Sequence, residues 1–316
     1  MKMYLVNRLF SLIPVLFIVS VVIFSIVHIT PGDPAAVLLG DEATEEQIQA
    51  LRAEMGLDQP LISQYFNWVG KALQGDLGIS YFMKMPVTSA IMSHFTPTIS
   101  VAVFAGLLSV LFSLPLGILA AIHRGTATDQ TVMGISLLGM CMPSFLLALF
   151  LVLLVGVQLQ WLPVAGYQPL SAGLWQHLKY LILPSVALGA MHTALIARMS
   201  RSSLLEVLNM NYIKTARSKG VKERLVIYRH ALKNAFLPIL TVIGQTFGAL
   251  IAGAVVTETI FNIPGIGQLI INSVERRDYS IIQGVVLFVT FLYVLINLAV
   301  DLLYGVVDPR VRLGKK

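Results

Sequence analysis

The sequence predicts an all-α, polytopic membrane protein with six transmembrane helices, and three observations carry that reading. Of its 316 residues, 56% are hydrophobic and only 12% are charged, whereas a soluble domain coats its surface with about 25% charge. Six stretches free of Asp, Glu, Lys and Arg reach or approach the roughly 20 apolar residues that cross a hydrocarbon layer about 30 Å thick. Lysine and arginine are also sorted between alternate connections, which sets one side of the membrane against the other. The same sorting accounts for the formal net charge of +6 without a nucleic acid as partner.

The first span covers 9–29. Lys2 and Arg8 ahead of it look like the basic region of a secretory signal, but the apolar run exceeds the roughly 7–15 residues of such a signal. PGDPAA beyond it is also a poor cleavage site, so the segment is expected to stay as a membrane helix. The connection at 30–96 reads as a small helical cap. Thr44 with Gln47 matches a capping box, Ile48, Leu51 and Met55 share a helical face, and Gly56 suits a left-handed stop. A second short helix is expected from Pro60, with Leu61, Tyr65 and Val69 buried and Gly70 or Gly75 near its end. Such a cap either packs on the bundle or offers a partner a docking surface on the outer side, and the sequence leaves both open. The chain is thereby divided into 1–96, the first helix with its outer loop, and 97–316, a five-helix core.

The remaining spans are 97–122, 131–157, 180–197, 235–257 and 281–300. Pro14, Pro115, Pro143 and Pro184 lie inside spans, where each removes a backbone donor and kinks its helix. Ordinary kinked packing and bending around a pathway both explain them. Lone Cys141 sits in an apolar run, can form no internal disulfide, and reads as a small core residue. With the N-terminus in the cytoplasm, the inner segments 1–8, 123–130, 198–234 and 301–316 hold 2, 1, 9 and 4 basic residues, 16 of the 22. Both termini are therefore expected inside.

Between the fourth and fifth spans the chain reads NYIKTARSKGVKERLVIYRHALKNAFLP. Residues 212–219 can form a short helix closed by Gly220. In a second helix Val221, Leu225, Tyr228 and Leu232 make an apolar stripe flanked by Lys222, Arg229 and Lys233. Three explanations compete for this charge: anionic headgroups holding an interfacial helix, positive-inside sorting alone, and a helix presented to a cytosolic protein.

Residue identity goes further than charge. Segment 198–238 resembles the cytoplasmic loop of permease subunits of binding-protein-dependent ABC importers, whose loose signature is Glu-Ala-Ala, three residues, Gly, and later a Leu-Pro pair. Lys214, Thr215, Ala216 and Gly220 stand at that spacing here, with Leu237 and Pro238 downstream. The chain lacks the Glu and places Leu-Pro further along. Both departures are similar to the peptide and nickel branch, whose permeases commonly read YIxTARAKG and RHALRNALLP, against YIKTARSKG and RHALKNAFLP here. The resemblance covers nearly the whole chain: PGDPA at 31–35, GLDxPL at 56–61, GDLGxS at 75–80, Glu258, PGxG at 264–267, RDY at 277–279 and DPRxR at 308–312. Ser280 replaces the usual Pro after RDY. Each motif alone is weak; the ordered set between six spaced spans is specific.

The resemblance implies a type I ABC importer permease fold, multi-pass in a bacterial inner membrane. It implies a non-enzymatic subunit that forms, with a second homologous permease, the path for short peptides or a related small solute: dipeptide, oligopeptide, glutathione or nickel chelate. Two cytosolic ATP-binding subunits, a periplasmic solute-binding protein and membrane lipid are the implied partners. The short helices around Gly220, at about 212–233, would form a coupling helix seated in a groove of an ATPase. There Ala216, beside Lys214 and Thr215, allows close approach, Gly220 lets the chain turn, and Arg217 with the neighbouring lysines can pair with acidic groups. Closure of two ATPases would displace two such helices and rock the bundle.

The chain carries no GxxxxGKS or GxxxxGKT loop, and NIPGIGQL lacks the lysine of a phosphate cradle, so the ATP-hydrolysing chain is expected to be another one. No HExxH pattern occurs and the six histidines show no metal-ligand spacing, so neither metal nor cofactor is expected. Glu258 and Asp301 fall at span ends, where pairing or exposure is cheap and no proton relay is compelled. His192 lies deeper, where it either contacts a polar solute or hydrogen-bonds across helices. A stand-alone secondary transporter would favour internal repeats, and no clear repeat relates the halves. An intramembrane hydrolase would need a facing nucleophile and base, and Ser113, Ser136, Ser144 and Ser185 have no convincing partner.

Overall fold

The computed structural model describes residues 12–29, 33–40 and 43–307. Contacts divide the chain into two compact units, Met1–Thr96 with Pro264–Leu295, and Pro97–Ile263 with Ile296–Lys316. Lys2, Arg8, Pro31, Gly32 and the motif at 308–312 lie outside the described residues.

Helix α1 (Leu12–Ile29) carries no charge on any side, and Ile13, Phe17 and Ile18 are each 59% exposed, the outward apolar surface that a lipid solvent permits. Helix α2 (Pro34–Leu39) begins where Asp33 accepts a 3.0 Å bond from the Ala35 amide, with Pro34 in the first turn. Helix α3 (Glu45–Glu54) has the capping box in full: the Thr44 amide donates to Gln47 Oε1 and the Gln47 amide to Thr44 Oγ1. Ile48, Leu51 and Met55 are half-buried along one face. Gly56 ends the helix at φ +71, and the amides of Gly56 and Leu57 donate to the carbonyls of Ala53 and Arg52.

Helix α4 (Leu61–Leu73) follows, with Tyr65 and Val69 half-buried. Leu61 does not take the buried place expected of it and is 56% exposed. It heads the helix, and packing on α1 starts a turn later: the Tyr65 and Ser20 hydroxyls are 2.8 Å apart, and the Phe24 ring meets Tyr65 edge-on at 5.4 Å.

A short antiparallel hairpin, β1 (Ile79–Ser80) and β2 (Met85–Pro86), leads into α5 (Val87–Ile122). The third expected span is broken into α6 (Ala127–Cys141) and α7 (Ser144–Gln158), which meet at a bend of 102°. Pro143 disfavours helical backbone in the residue before it, and Met142 is indeed extended, at φ −82 and ψ 119. By contrast Pro14, Pro115 and Pro184 lie inside helices without ending them. Helix α8 (Leu174–Leu208), α9 (Asn211–Ser218), α10 (Glu223–Ile260), α11 (Ile266–Glu275) and α12 (Tyr279–Val307) complete the order.

Among the described residues, α5, α8, α10 and the Tyr279–Val300 part of α12 are long and apolar enough to span, and the bent α6–α7 pair makes up to five. The described part of α1 is shorter, with an apolar stretch at Ile13–Ile26. Cys141 is exposed rather than in the core, because with lipid as solvent an apolar run need not face inward.

Within the second unit α5 and α8 approach closely. A Cβ on Gly117 would stand 2.6 Å from the Ala197 carbonyl oxygen, so only a missing side chain lets the backbones meet. Towards one end of these helices Val101, Leu181, Leu250, Phe261 and Ile263 form one buried cluster. A second, built from Ile118, Ile196, Leu204, Val226 and Ile239, lies at the other end. Glu258 takes pairing rather than exposure: it is wholly buried, and the Thr98 hydroxyl donates to its Oε1 at 2.5 Å. The Asp301 side chain lies outside the described residues.

In the first unit two motifs far apart in sequence meet. The Ser80 hydroxyl, fully buried, donates to Asp278 Oδ2 at 2.5 Å and accepts from the Met83 amide at 2.8 Å. Asp278 Oδ1 accepts from the Ile281 amide at 3.3 Å at the start of α12. Burial pushes the Asp278 carboxyl above its ordinary value, against the opposing pull of those two hydrogen bonds.

Candidate coupling surface

Helix α9 is eight residues long and amphipathic. A helix this short is marginal alone, so its order comes from packing. Ile213 is fully buried and half-buried Ala216 packs against the same cluster, with Val226, Ile227 and Ala231 of α10. Two polar contacts fix α9 further: Asn234 Nδ2 donates to the Tyr212 hydroxyl at 2.8 Å, and that hydroxyl donates to the His230 carbonyl at 3.4 Å.

Gly220 closes the helix at φ +77, a left-handed conformation that a Cβ disfavours. Its amide donates to the Arg217 carbonyl at 2.9 Å, and the Val221 amide to the Ala216 carbonyl at 3.2 Å, the paired bonds of a Schellman stop. Across this turn Arg217 grips Glu223 with two hydrogen bonds, of 3.0 and 2.6 Å. That bond holds the Arg217 guanidinium above its ordinary value. Both side chains are substantially exposed, and such a pair is worth about 0–1 kcal/mol.

The structure thus brings Lys214, Thr215, Ala216, Arg217 and Gly220 onto one compact turn. Lys214, Thr215, Arg217 and Gly220 are exposed, while Ala216 faces the bundle. Lys214 and Lys219 make no ion pair among the described residues, so their charge is open to an outside partner.

The second stripe differs from expectation. Val226, Ile227 and Ala231 are buried, whereas Leu225 and Tyr228 are 47% and 52% exposed. The cause is a π-helical stretch, Val226–Ala231, which adds a residue to the turn and rotates the face that regular spacing selects.

Sequence reasoning also missed the supports. Glu223 acts from outside the quoted motifs, Tyr212 and Asn234 lie within them but were given no role, and His230 supplies only a carbonyl. At the neighbouring helix ends, Arg201 of α8 grips Asp129 of α6 through Nε at 2.5 Å and Nη2 at 2.7 Å, and the Gly125 amide completes the carboxylate at 2.9 Å. No local pattern reports a pair separated by 72 positions. His192 does not make the expected bond across helices through Nδ1, which is buried with no partner among the described residues. Ser113 and Ser185 donate to the carbonyls of Val110 and Val101, not to a base.

The family comparison decides what kind of protein carries this surface. The model of the binding-protein-dependent transport system inner membrane component matches residues 113–313, and that of the corresponding N-terminal membrane component matches 1–102. The chain belongs to this family. Like its relatives, this permease is a transport component of the inner membrane and not an enzyme. It is 43% identical over 309 residues to the glutathione transport system permease protein GsiC of Shigella flexneri, covering 98% of each chain. It is equally 43% identical over 312 residues to the "Probable peptide ABC transporter permease protein y4tP" of Sinorhizobium fredii, covering 99% of this chain and 100% of the relative. A chain of the MetNI methionine ABC transporter, solved facing inward, superposes with a TM-score of 0.59 at 18% identity, covering 69% of this permease and 96% of that chain. That likeness shows the all-α permease fold. Membership sets aside the stand-alone secondary transporter and the intramembrane hydrolase.

Proposed function

We propose that the permease forms, with a second homologous permease, the translocation path of an importer for short peptides or a related small solute. Dipeptide, oligopeptide, glutathione and nickel chelate are the solute classes the relatives and motifs favour. Two cytosolic ATP-binding subunits drive the cycle, and a periplasmic solute-binding protein delivers the solute. Residues 1–96 supply the first helix and outer loop, residues 97–316 the core, and both termini are cytoplasmic. The α9 turn is the coupling helix, within about 212–233, and Lys214, Thr215, Ala216, Arg217 and Gly220 are its coupling residues, Ala216 on the side packed against the bundle.

The observation that carries this proposal is the combination of a rigid anchor and an open cationic face. Ile213 and the Tyr212–Asn234 bond tie α9 to α10, while Lys214, Arg217 and Lys219 point outward. A displacement imposed on such a turn passes into α10 instead of being absorbed by a loop. The test is cross-linking in the assembled importer. The chain has one cysteine, so Lys214→Cys in a Cys141→Ser background gives a single reporter. The expected result is a cross-link to an ATP-binding subunit whose yield changes with nucleotide; a cross-link only to other chains would defeat the assignment.

A further inference from the structure

A groove of about 460 Å³ opens in the second unit between α5, α6 and α8. Its floor is made of small residues, Ser109, Gly139, Gly189 and Ala194 among them, and Phe112 and Ile135 stand at 55% and 64% exposure on its rim. Three of its four hydroxyls, all but that of Ser136, are engaged by backbone: Ser109 and Thr193 both donate to the Gly189 carbonyl, at 3.0 and 2.9 Å, and Ser185 to that of Val101 at 3.3 Å. What remains offers an apolar wall within the hydrophobic zone, which suits neither a polar solute nor water.

One end of this groove is basic. On α8, Arg198 and Arg201 lie one helical turn beyond the lining residues Ala194 and Ala197, on the same faces. Arg201 is neutralised by Asp129, whose carboxylate is also held by the amide of Gly125, next to Arg124. Arg124 and Arg198 are exposed and make no ion pair among the described residues. Three arginines, Arg124, Arg198 and Arg201, thus stand with one carboxylate, Asp129, at this end of the groove, an excess of two positive charges where it reaches the membrane surface.

We propose that this groove binds one acyl chain of an anionic phospholipid, with the lipid phosphate held by Arg124 and Arg198. Charge pattern separates this occupant from a helix of a neighbouring permease: an apolar wall that ends at exposed Arg124 and Arg198 matches a lipid, whose apolar chain ends in an anionic phosphate, whereas an apolar helix face would leave both arginines unanswered. The charge selects an anionic headgroup over a zwitterionic one.

The test uses the full-length permease in vesicles with spin-labelled phosphatidylglycerol, and with spin-labelled phosphatidylcholine as reference. Wild type is expected to immobilise phosphatidylglycerol preferentially. In the Arg124→Gln/Arg198→Gln double variant that preference falls roughly 30-fold, the loss of two cations each worth about 1 kcal/mol at an anionic surface. Ala190→Phe, which fills the groove, is expected to remove the immobilised component for both lipids. The double variant changes only exposed side chains, so it decides the matter even if Ala190→Phe fails to fold. Equal immobilisation of the two lipids by wild type, or an unchanged preference in the double variant, overturns the proposal. So does efficient cross-linking of Ile135→Cys to a second permease, which would identify the groove as a subunit contact.

Discussion

Gly220 allows the coupling assignment to be tested by degree. At φ +77 an alanine adopts the left-handed conformation at a cost of about 1–2 kcal/mol. No atom lies within 4 Å of where its Cβ would sit, so that cost is torsional alone. It corresponds to a fall of about 5–30-fold in the population of the turn relative to its alternatives. Proline is a different case. It fixes φ near −65°, of the opposite sign, and deletes the amide that donates to the Arg217 carbonyl at 2.9 Å, so the turn cannot form. Ile213 and the Tyr212–Asn234 contact lie outside the turn, and the membrane helices are expected to insert normally in both variants. The measurement is ATP hydrolysed per solute imported by the assembled importer in proteoliposomes. Gly220→Ala should give an intermediate ratio, and Gly220→Pro should hydrolyse ATP without import. Normal uptake by Gly220→Pro would refute the role given to this turn, and equal defects in the two variants would refute the torsional ranking.

Arg201→Ala removes the bidentate cation from Asp129, whose carboxylate keeps only the Gly125 amide as a hydrogen-bond donor, and thermal unfolding in detergent should register a loss of about 1.5–3 kcal/mol, the worth of hydrogen bonds to a charged group; a loss below about 0.5 kcal/mol would show that the pair contributes no more than an exposed one. Asp278 gives a pH signature. Its folded value lies above the ordinary 3.8, so its contribution to stability is present below that value and is lost as pH rises through the raised one. Asp278→Asn does not ionise, and its stability relative to wild type should therefore improve as pH rises over that window; a difference that stays flat with pH would contradict the assigned burial. A reporter fused after Asn234 is expected to stay cytoplasmic, and periplasmic activity from it would invert the topology.

The membrane helices were legible because an apolar run of given length has few other uses, and the α3 capping box because its two hydrogen bonds depend on residues three apart. Pro143 was visible as a perturbation, yet nothing local distinguished a kink from the 102° break it produces, since Pro115 and Pro184 continue their helices. The α9 turn could be read from Gly220, but the buried face of α10 could not. A periodicity count assumes regular α-helix, and the π stretch at Val226–Ala231 displaces the burial from Leu225 and Tyr228 to Val226, Ile227 and Ala231. Least legible were pairs made by tertiary packing: Thr98 with Glu258, Asp129 with Arg201, and Ser80 with Asp278, separated by 160, 72 and 198 positions. Each partner alone resembles an ordinary surface or span-end residue, and only the fold supplies the other.

Helix α10 runs unbroken for 38 residues, about 57 Å at 1.5 Å per residue, nearly twice the roughly 30 Å of hydrocarbon it has to cross. One tip carries the Arg217 partner Glu223 and the other carries Glu258 against Thr98, and between them the π turn Val226–Ala231 and Pro238 are the two points where it can bend. Pivoted as one body by about 10° at its middle, a helix of this length swings each tip by roughly 5 Å in opposite directions. A displacement of the α9 turn would reach the far face through this single helix, less whatever bending the π turn and Pro238 absorb.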